Sequence, residues 1–94
     1  MFDIKISEDG TVFLAGRLDA SQAEKARSVL NSLGRSVTVD FSGLDYISSA
    51  GLGVFLGLRQ RLDEAGHRIK LINMNKHVRD VFRYAGMDQL FEIE

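Results

Sequence analysis

Asp40-Phe41-Ser42-Gly43-Leu44-Asp45-Tyr46-Ile47-Ser48-Ser49-Ala50-Gly51-Leu52-Gly53 is the stretch on which the fold of this chain turns. Just before and into it, Val37, Val39 and Phe41 alternate with Thr38 and Asp40, the period-two pattern of a strand. Ser42-Gly43 breaks that pattern, so a short loop is expected there. A helix is then expected to begin near Ser48 or Ser49 and to run to Gly66, where glycine supplies the stop. Strand, loop and helix together read as one half of a crossover unit.

The flanking sequence repeats that rhythm. Upstream, Phe2, Ile4 and Ile6 alternate with Asp3, Lys5 and Ser7, and Glu8-Asp9-Gly10 signals a hairpin turn. Val12 and Leu14 point one way on the return strand, Phe13 points the other, and Gly16 is expected to end it. A first helix follows. Asp19 or Ser21 can cap it, because Gln22 and Glu24 lie three residues on from each. Ala23, Ala26, Leu30 and Leu33 form its apolar stripe, and Gly34 stands where a left-handed C-terminal cap is expected.

Downstream, Ile69, Leu71 and Ile72 read as a strand. Asn75 can cap a third helix whose Val78, Val81, Phe82 and Ala85 share a face and which ends at Gly86. A short strand is expected over Leu90-Phe91-Glu92-Ile93. The order is ββαβαβα(β). That is an α/β class: one domain over residues 1–94, with a mixed, mostly parallel sheet and an N-terminal β-hairpin.

Composition narrows the function. Apolar residues make up 45% of 94 and charged residues 27%, a globular balance. The formal net charge is -1 and no run of one sign occurs, so the basic footprint of a nucleic-acid binder is missing. No cysteine is present, which excludes a disulfide frame and a thiolate metal site. The apolar-rich stretch Ala50 to Leu58 is far shorter than the roughly 20 residues that span a bilayer. The N-terminus alternates and does not resemble a signal peptide. A soluble, cytoplasmic protein without membrane insertion is expected.

Catalytic groupings are scarce. His67 and His77 are the only histidines and neither has a partner at metal-ligand spacing, so both are expected on the solvated surface. There is no G-x-S-x-G elbow, and the glycines at 51, 53 and 57 lack the Lys-Ser/Thr ending of a phosphate loop. No catalytic residue, metal or cofactor is expected, and the chain reads as a non-enzyme.

Two features of the central stretch carry function. Serines at a helix start commonly serve as caps, accepting a bond from a free backbone N–H. The same place also suits an added phosphate, because a helix N-terminus carries partial positive charge and unpaired donors. Phosphorylation there would add nearly two negative charges and change the surface without breaking the core. Further along, Leu52, Val54, Phe55, Leu56 and Leu58 spread around most of the helix. Val54, Phe55, Leu58, Leu62 and Ala65 suffice for one buried stripe. Leu52 and Leu56, near Gly53 and Gly57, then either face a partner or are buried against sheet and neighbouring helix. Arg59, Gln60, Arg61, Asp63 and Glu64 are expected to form a solvated face.

Gly16-Arg17-Leu18-Asp19, Val39-Asp40-Phe41-Ser42-Gly43-Leu44 and Ile47-Ser48-Ser49-Ala50-Gly51-Leu52-Gly53 resemble the signature of STAS domains, and within them of bacterial anti-sigma factor antagonists (anti-anti-sigma factors). The resemblance spans essentially the whole chain and implies a small sheet flanked by helices. It also implies a partner that is both anti-sigma factor and serine kinase. Such domains hold the kinase while unphosphorylated and so free the sigma factor. Phosphorylation of a serine at the start of the second helix ends the complex, and a phosphatase resets it. Aligned on Gly-Leu-Gly, that serine is Ser49. Many members have Asp immediately before it; Ser48 stands there in this chain and is a second candidate. By the resemblance Asp19 matches a family position near the partner surface; with the apolar side of the helix start, the expected partner surface is Asp19, Ser48, Ser49, Gly51, Leu52, Gly53 and Leu56. The alternative is a STAS subunit with a constitutive scaffold role in a signalling or lipid-transport assembly, its serines acting only as caps. A third reading, a shallow nucleotide or anion site at the Asp19 and Ser49 loops, has only Arg17 as a nearby cation.

Overall fold

Apolar alternation becomes a five-stranded sheet with its helices threaded between neighbouring strands. The computed structural model describes residues 1–94. Strands β1 (Phe2–Ile6) and β2 (Val12–Leu18) form the opening hairpin. Then come α1 (Ala23–Leu30), β3 (Val37–Ile47), α2 (Ser49–Glu64), β4 (Ile69–Ile72), α3 (Lys76–Tyr84), a 3₁₀ turn (Met87–Gln89) and β5 (Glu92–Ile93). The sheet order is β1-β2-β3-β4-β5. The β1–β2 pair is antiparallel and the other three pairs are parallel. Class, element order and mixed sheet agree with the sequence reading.

The hairpin turn forms as expected. Gly10 takes a positive φ of 88°, and the Asp9 carboxylate accepts from the Thr11 N–H at 3.0 Å and from the Ser7 hydroxyl. In β2 the alternation buries Val12, Leu14 and Leu18 and leaves Phe13, Ala15 and Arg17 exposed. The inward residues join one core of 24 side chains. At its centre Phe41 of β3 packs on Phe55 of α2 (centroids 5.3 Å apart) and edge-on against Phe82 of α3 (5.9 Å).

Several boundaries differ from expectation, each for a tertiary reason. Gly16 does not end β2. It sits at a bulge where the Met1 carbonyl occupies the space of a side chain and accepts from the Arg17 N–H at 2.7 Å. Ser42-Gly43 does not end β3, which runs on to Ile47. A Cβ on Gly43 would lie 2.8 Å from the Leu14 carbonyl oxygen, so glycine here admits a close strand neighbour. The loop expected before the second helix is therefore absent, and Ser48 alone joins β3 to α2. Helix α1 starts at Ala23 with Gln22 at its cap position and no side-chain cap bond, so neither Asp19 nor Ser21 caps it. It ends at Leu30, leaving Leu33 half-buried beyond it, and Gly34 is not left-handed. Its last carbonyls accept from the Asn31, Ser32 and Leu33 N–H groups, and Arg61 of α2 adds bonds to the Leu30 carbonyl at 2.8 Å and, beyond the helix, to the Leu33 carbonyl at 2.6 Å. Arg61 thus leaves the expected solvated face. Ala65 and Ala85, placed in apolar stripes by periodicity, are exposed. Asn75 caps α3, its side-chain oxygen accepting from the Val78 N–H at 2.8 Å, and Gly66 and Gly86 adopt the left-handed stops. Strand β5 is confined to Glu92–Ile93, shorter than the expected span from Leu90.

Asp40 is the one buried charged residue of β3, at 9% exposure. Burial alone would raise its carboxyl, but bonds from Ser42 (N–H at 2.8 Å) and Asn73 (amide at 3.0 Å) outweigh this and hold it below the usual carboxylate range. Asn73 reaches it from a left-handed backbone with φ of 61°. A lowered folded-state pKa means the ionised form stabilises the fold above the ordinary carboxyl pKa. That contribution is lost as pH falls through the folded value. Asp40→Ala is therefore expected to cost about 1–3 kcal/mol at neutral pH. The gap between wild type and variant should narrow from pH 5 to pH 3 in paired thermal melts; a gap that stays constant across that range would exclude this linkage.

Candidate functional site

The C-terminal ends of β2, β3 and β4 lie side by side, and the segment leaving each one opens on a polar residue. Asp19 follows β2, Ser48 follows β3, and Asn75 caps the helix that follows β4. In open α/β sheets this is the edge where ligands and partners are met. Two bonds fix the geometry. The Ser48 N–H donates to the Leu18 carbonyl at 2.9 Å, which holds the start of α2 against the end of β2. The Asn75 side-chain amide donates to the Leu44 carbonyl at 3.1 Å, which holds the start of α3 on β3.

The two serines have different surroundings. Ser48 is the N-cap of α2: its backbone is extended, its side chain is half-buried, and its hydroxyl accepts from the Gly51 N–H at 3.4 Å, a long bond. Ser49 is the first helical residue, is exposed, and its hydroxyl has no hydrogen-bond partner within the protein. The first turn of α2 contains no acidic residue. Asp19 is half-buried. Its carboxylate accepts from the Ser21 hydroxyl at 2.6 Å and the Ser21 N–H at 3.0 Å. The hydroxyl bond chiefly, with smaller help from the Arg17 charge, holds that carboxyl below its ordinary range.

The other expected partner-surface residues divide. Gly53 is exposed with open space around it, and Leu56 is half-buried against the core. Gly51 and Leu52 are buried, so neither lies on the free surface, and the burial reading of Leu52 is the correct one. Helix α2 has two buried sides because it packs on both the sheet and α1, which extends the apolar arc beyond one stripe. Gly51 makes the joint feasible. A Cβ there would lie 2.8 Å from Ile47 Cγ1 and 2.9 Å from Leu18 Cγ. The absence of a side chain is what brings the serines down onto the strand ends.

Sequence reasoning passed over Tyr46. The Arg17 guanidinium carbon lies 4.2 Å from the centre of its ring, and the His77 ring stacks beside it at 6.2 Å with 24° between planes. Such a cation–π pair is worth about 0.5–1 kcal/mol when exposed. Alternation counted from buried Leu44 would turn Tyr46 inward; the register shift opposite Gly16 and Arg17 reverses the phase, so the residue pattern did not show that Tyr46 lies beside Arg17. No group of three or more metal-ligating side chains is brought together. None of the three main clefts includes Asp19, Ser48 or Ser49. The largest, about 570 Å³, lies between the hairpin turn and the α1–β3 connection, lined by Ser7, Asp9, Ser32 and Arg35 among others. No helix is long and apolar enough to cross a membrane.

A family model described as "Mlab, STAS domain" matches residues 4–92. The chain belongs to the STAS-domain family. This STAS domain is 30% identical over 95 residues to the anti-sigma-B factor antagonist of Bacillus subtilis, covering 97% of this chain and 87% of that protein. It is 28% identical over 99 residues to the anti-sigma-B factor antagonist of Listeria monocytogenes, with the same coverage of 97% and 87%. Among solved structures, the Bacillus cell fate determinant SpoIIAA in its phosphorylated form superposes with a TM-score of 0.72 at 23% identity, covering 100% of this chain and 91% of that one. An anti-sigma-factor antagonist (STAS) domain protein from Planctomyces limnophilus gives 0.82 at 17%, covering 100% and 90%. The two structural likenesses speak for the fold.

Substitutions at the joint separate these roles. Gly51→Ala is expected to destabilise the STAS domain by about 1–3 kcal/mol through overpacking. Ser48→Ala should cost about 0.5–1 kcal/mol for the lost cap, and Ser49→Ala should stay within about 0.5 kcal/mol of wild type. Urea unfolding midpoints test all three; a Ser49→Ala variant as destabilised as Ser48→Ala would give Ser49 a structural role.

Proposed function

We propose that this STAS domain is an anti-sigma factor antagonist switched off by phosphorylation of Ser49. In this reading it acts as a binding module in the cytoplasm, not as an enzyme. It holds an anti-sigma factor that is also a serine kinase, and so frees a sigma factor. A phosphatase acting on the phosphoserine restores binding.

One contrast carries the reading: Ser49 is exposed with an uncommitted hydroxyl, whereas its neighbour Ser48 is occupied as the helix cap. A phosphate on Ser49 would meet the positive end of α2 and no acidic side chain in that turn, so the fold would tolerate it. The joint below has no loop to reshape, so the change would be one of surface charge. A partner surface made for a neutral hydroxyl would then face nearly two negative charges. The names of the Bacillus and Listeria relatives supply the partner class.

A second reading, favoured by the cap bond of Ser48, is a constitutive subunit of a signalling or lipid-transport assembly in which both serines only shape the helix start. A nucleotide site gains no support, because no main cleft opens at these loops.

The deciding experiment pairs capture with phosphate mapping. Wild-type protein is expected to retain an anti-sigma factor from the cell it comes from, and Ser49→Asp to lose it while still folded. Incubation of wild type with that factor and ATP should place one phosphate on Ser49 by mass spectrometry, present also in Ser48→Ala and missing in Ser49→Ala. Equal capture by wild type and Ser49→Asp would favour the constitutive reading, and undiminished phosphorylation of Ser49→Ala would overturn the site.

A further inference from the structure

Three elements converge on one exposed stack beside the serines. Arg17 (β2) and Tyr46 (β3) are paired in the sheet register, one step before the Leu18–Ile47 pair. Asp19 and Ser48 follow directly. His77, in the first turn of α3, lies against the same ring. Arg17 and His77 are exposed, and Tyr46 is half-buried.

The chemistry of the stack is unfinished. A guanidinium lying over a ring uses one planar face and leaves its N–H edge free, a fork shaped for a carboxylate. Arg17 has no carboxylate within 4.0 Å and donates no side-chain hydrogen bond. The acid two residues on, Asp19, is committed to the Ser21 N–H and hydroxyl. Lys76, the cation next to His77, is already paired with Asp80 at 2.8 Å. Asp45 precedes Tyr46 and forms no ion pair, so it neutralises none of this. Arg17 is thus an unpaired cation on this edge with an aromatic neighbour 4.2 Å from its guanidinium carbon. Arginine and tyrosine are enriched among the few residues that carry most of an interface's binding energy.

We propose that the Arg17–Tyr46–His77 stack is an anchor for the partner protein, with Arg17 receiving a carboxylate of that partner. The inference rests on the binding-module reading above and adds the residue type that the partner must present. Tyr46 supports the guanidinium from below, and His77 is a positioning residue that stacks beside the ring. Placed on the same edge as Ser49, the anchor would also sense the switch, because a phosphate there competes for the same cation.

Titration calorimetry against the captured anti-sigma factor tests the anchor. Arg17→Ala is expected to weaken binding about thirtyfold, with Arg17→Lys intermediate because it keeps charge but loses the fork. Tyr46→Leu and His77→Ala should weaken it less, and their loss should largely vanish in an Arg17→Ala background. Circular dichroism melts on each variant separate lost folding from lost affinity. A charge swap, Arg17→Glu with an Asp or Glu of the partner changed to Arg, should restore binding that Arg17→Glu alone abolishes. If Arg17→Ala binds within about twofold of wild type while Ser49→Asp does not bind, the anchor is refuted and the antagonist reading stands. If wild type binds no anti-sigma factor, both fall.

Discussion

The architecture depends on a steric allowance of one missing methyl group at Gly51. The start of α2 rests so closely on Leu18 and Ile47 that a Cβ would have to share their space. That closeness lets the Ser48 N–H reach the Leu18 carbonyl, and it leaves exposed Ser49, the first residue of α2, one step past that joint. A bulkier residue would lift the helix, lengthen the joint and blur the difference between the two serines. The local dihedral angles are ordinary; the constraint is one of volume between two elements, as expected where packing reaches crystal-like density.

Much of this was legible from residue order. Each main strand and helix was expected in its order, though not always with its true bounds, because burial leaves a periodic trace. Caps that use near neighbours, such as Asn75 for α3, and left-handed glycine stops, such as Gly66 and Gly86, were also readable. The misreadings share a cause. Gly16 and Gly43 look like breakers, yet each admits a carbonyl brought in from elsewhere, Met1 in one case and Leu14 in the other. Gly34 looks like a helix stop, yet α1 ends at Leu30 and the segment after it is tied down by Arg61, whose side chain donates to the Leu33 carbonyl 28 positions earlier. A pattern confined to neighbouring residues holds no record of such donors.

The candidate site was legible in a different proportion. The position of Ser48 and Ser49 at a helix start was readable, and their unequal environments, cap and first helical residue, follow from that order. The apolar pattern left Leu52 open between a partner face and burial, and burial holds because α2 is flanked on two sides, a property of its neighbours. Tyr46 and His77 were invisible because their meeting needs both the true length of β3 and the placement of α3.

The ring of Phe41 touches both Phe55 and Phe82, so α2 and α3 lean on a single side chain. The starts of those two helices flank the serines and the stack. Under the proposed function, such a surface would meet its partner already assembled. Association then loses little conformational entropy from this side, and the main cost of contact is removing water from polar groups. For a protein of this kind, selectivity among partners would come from which charges sit on the plate and not from how the plate bends.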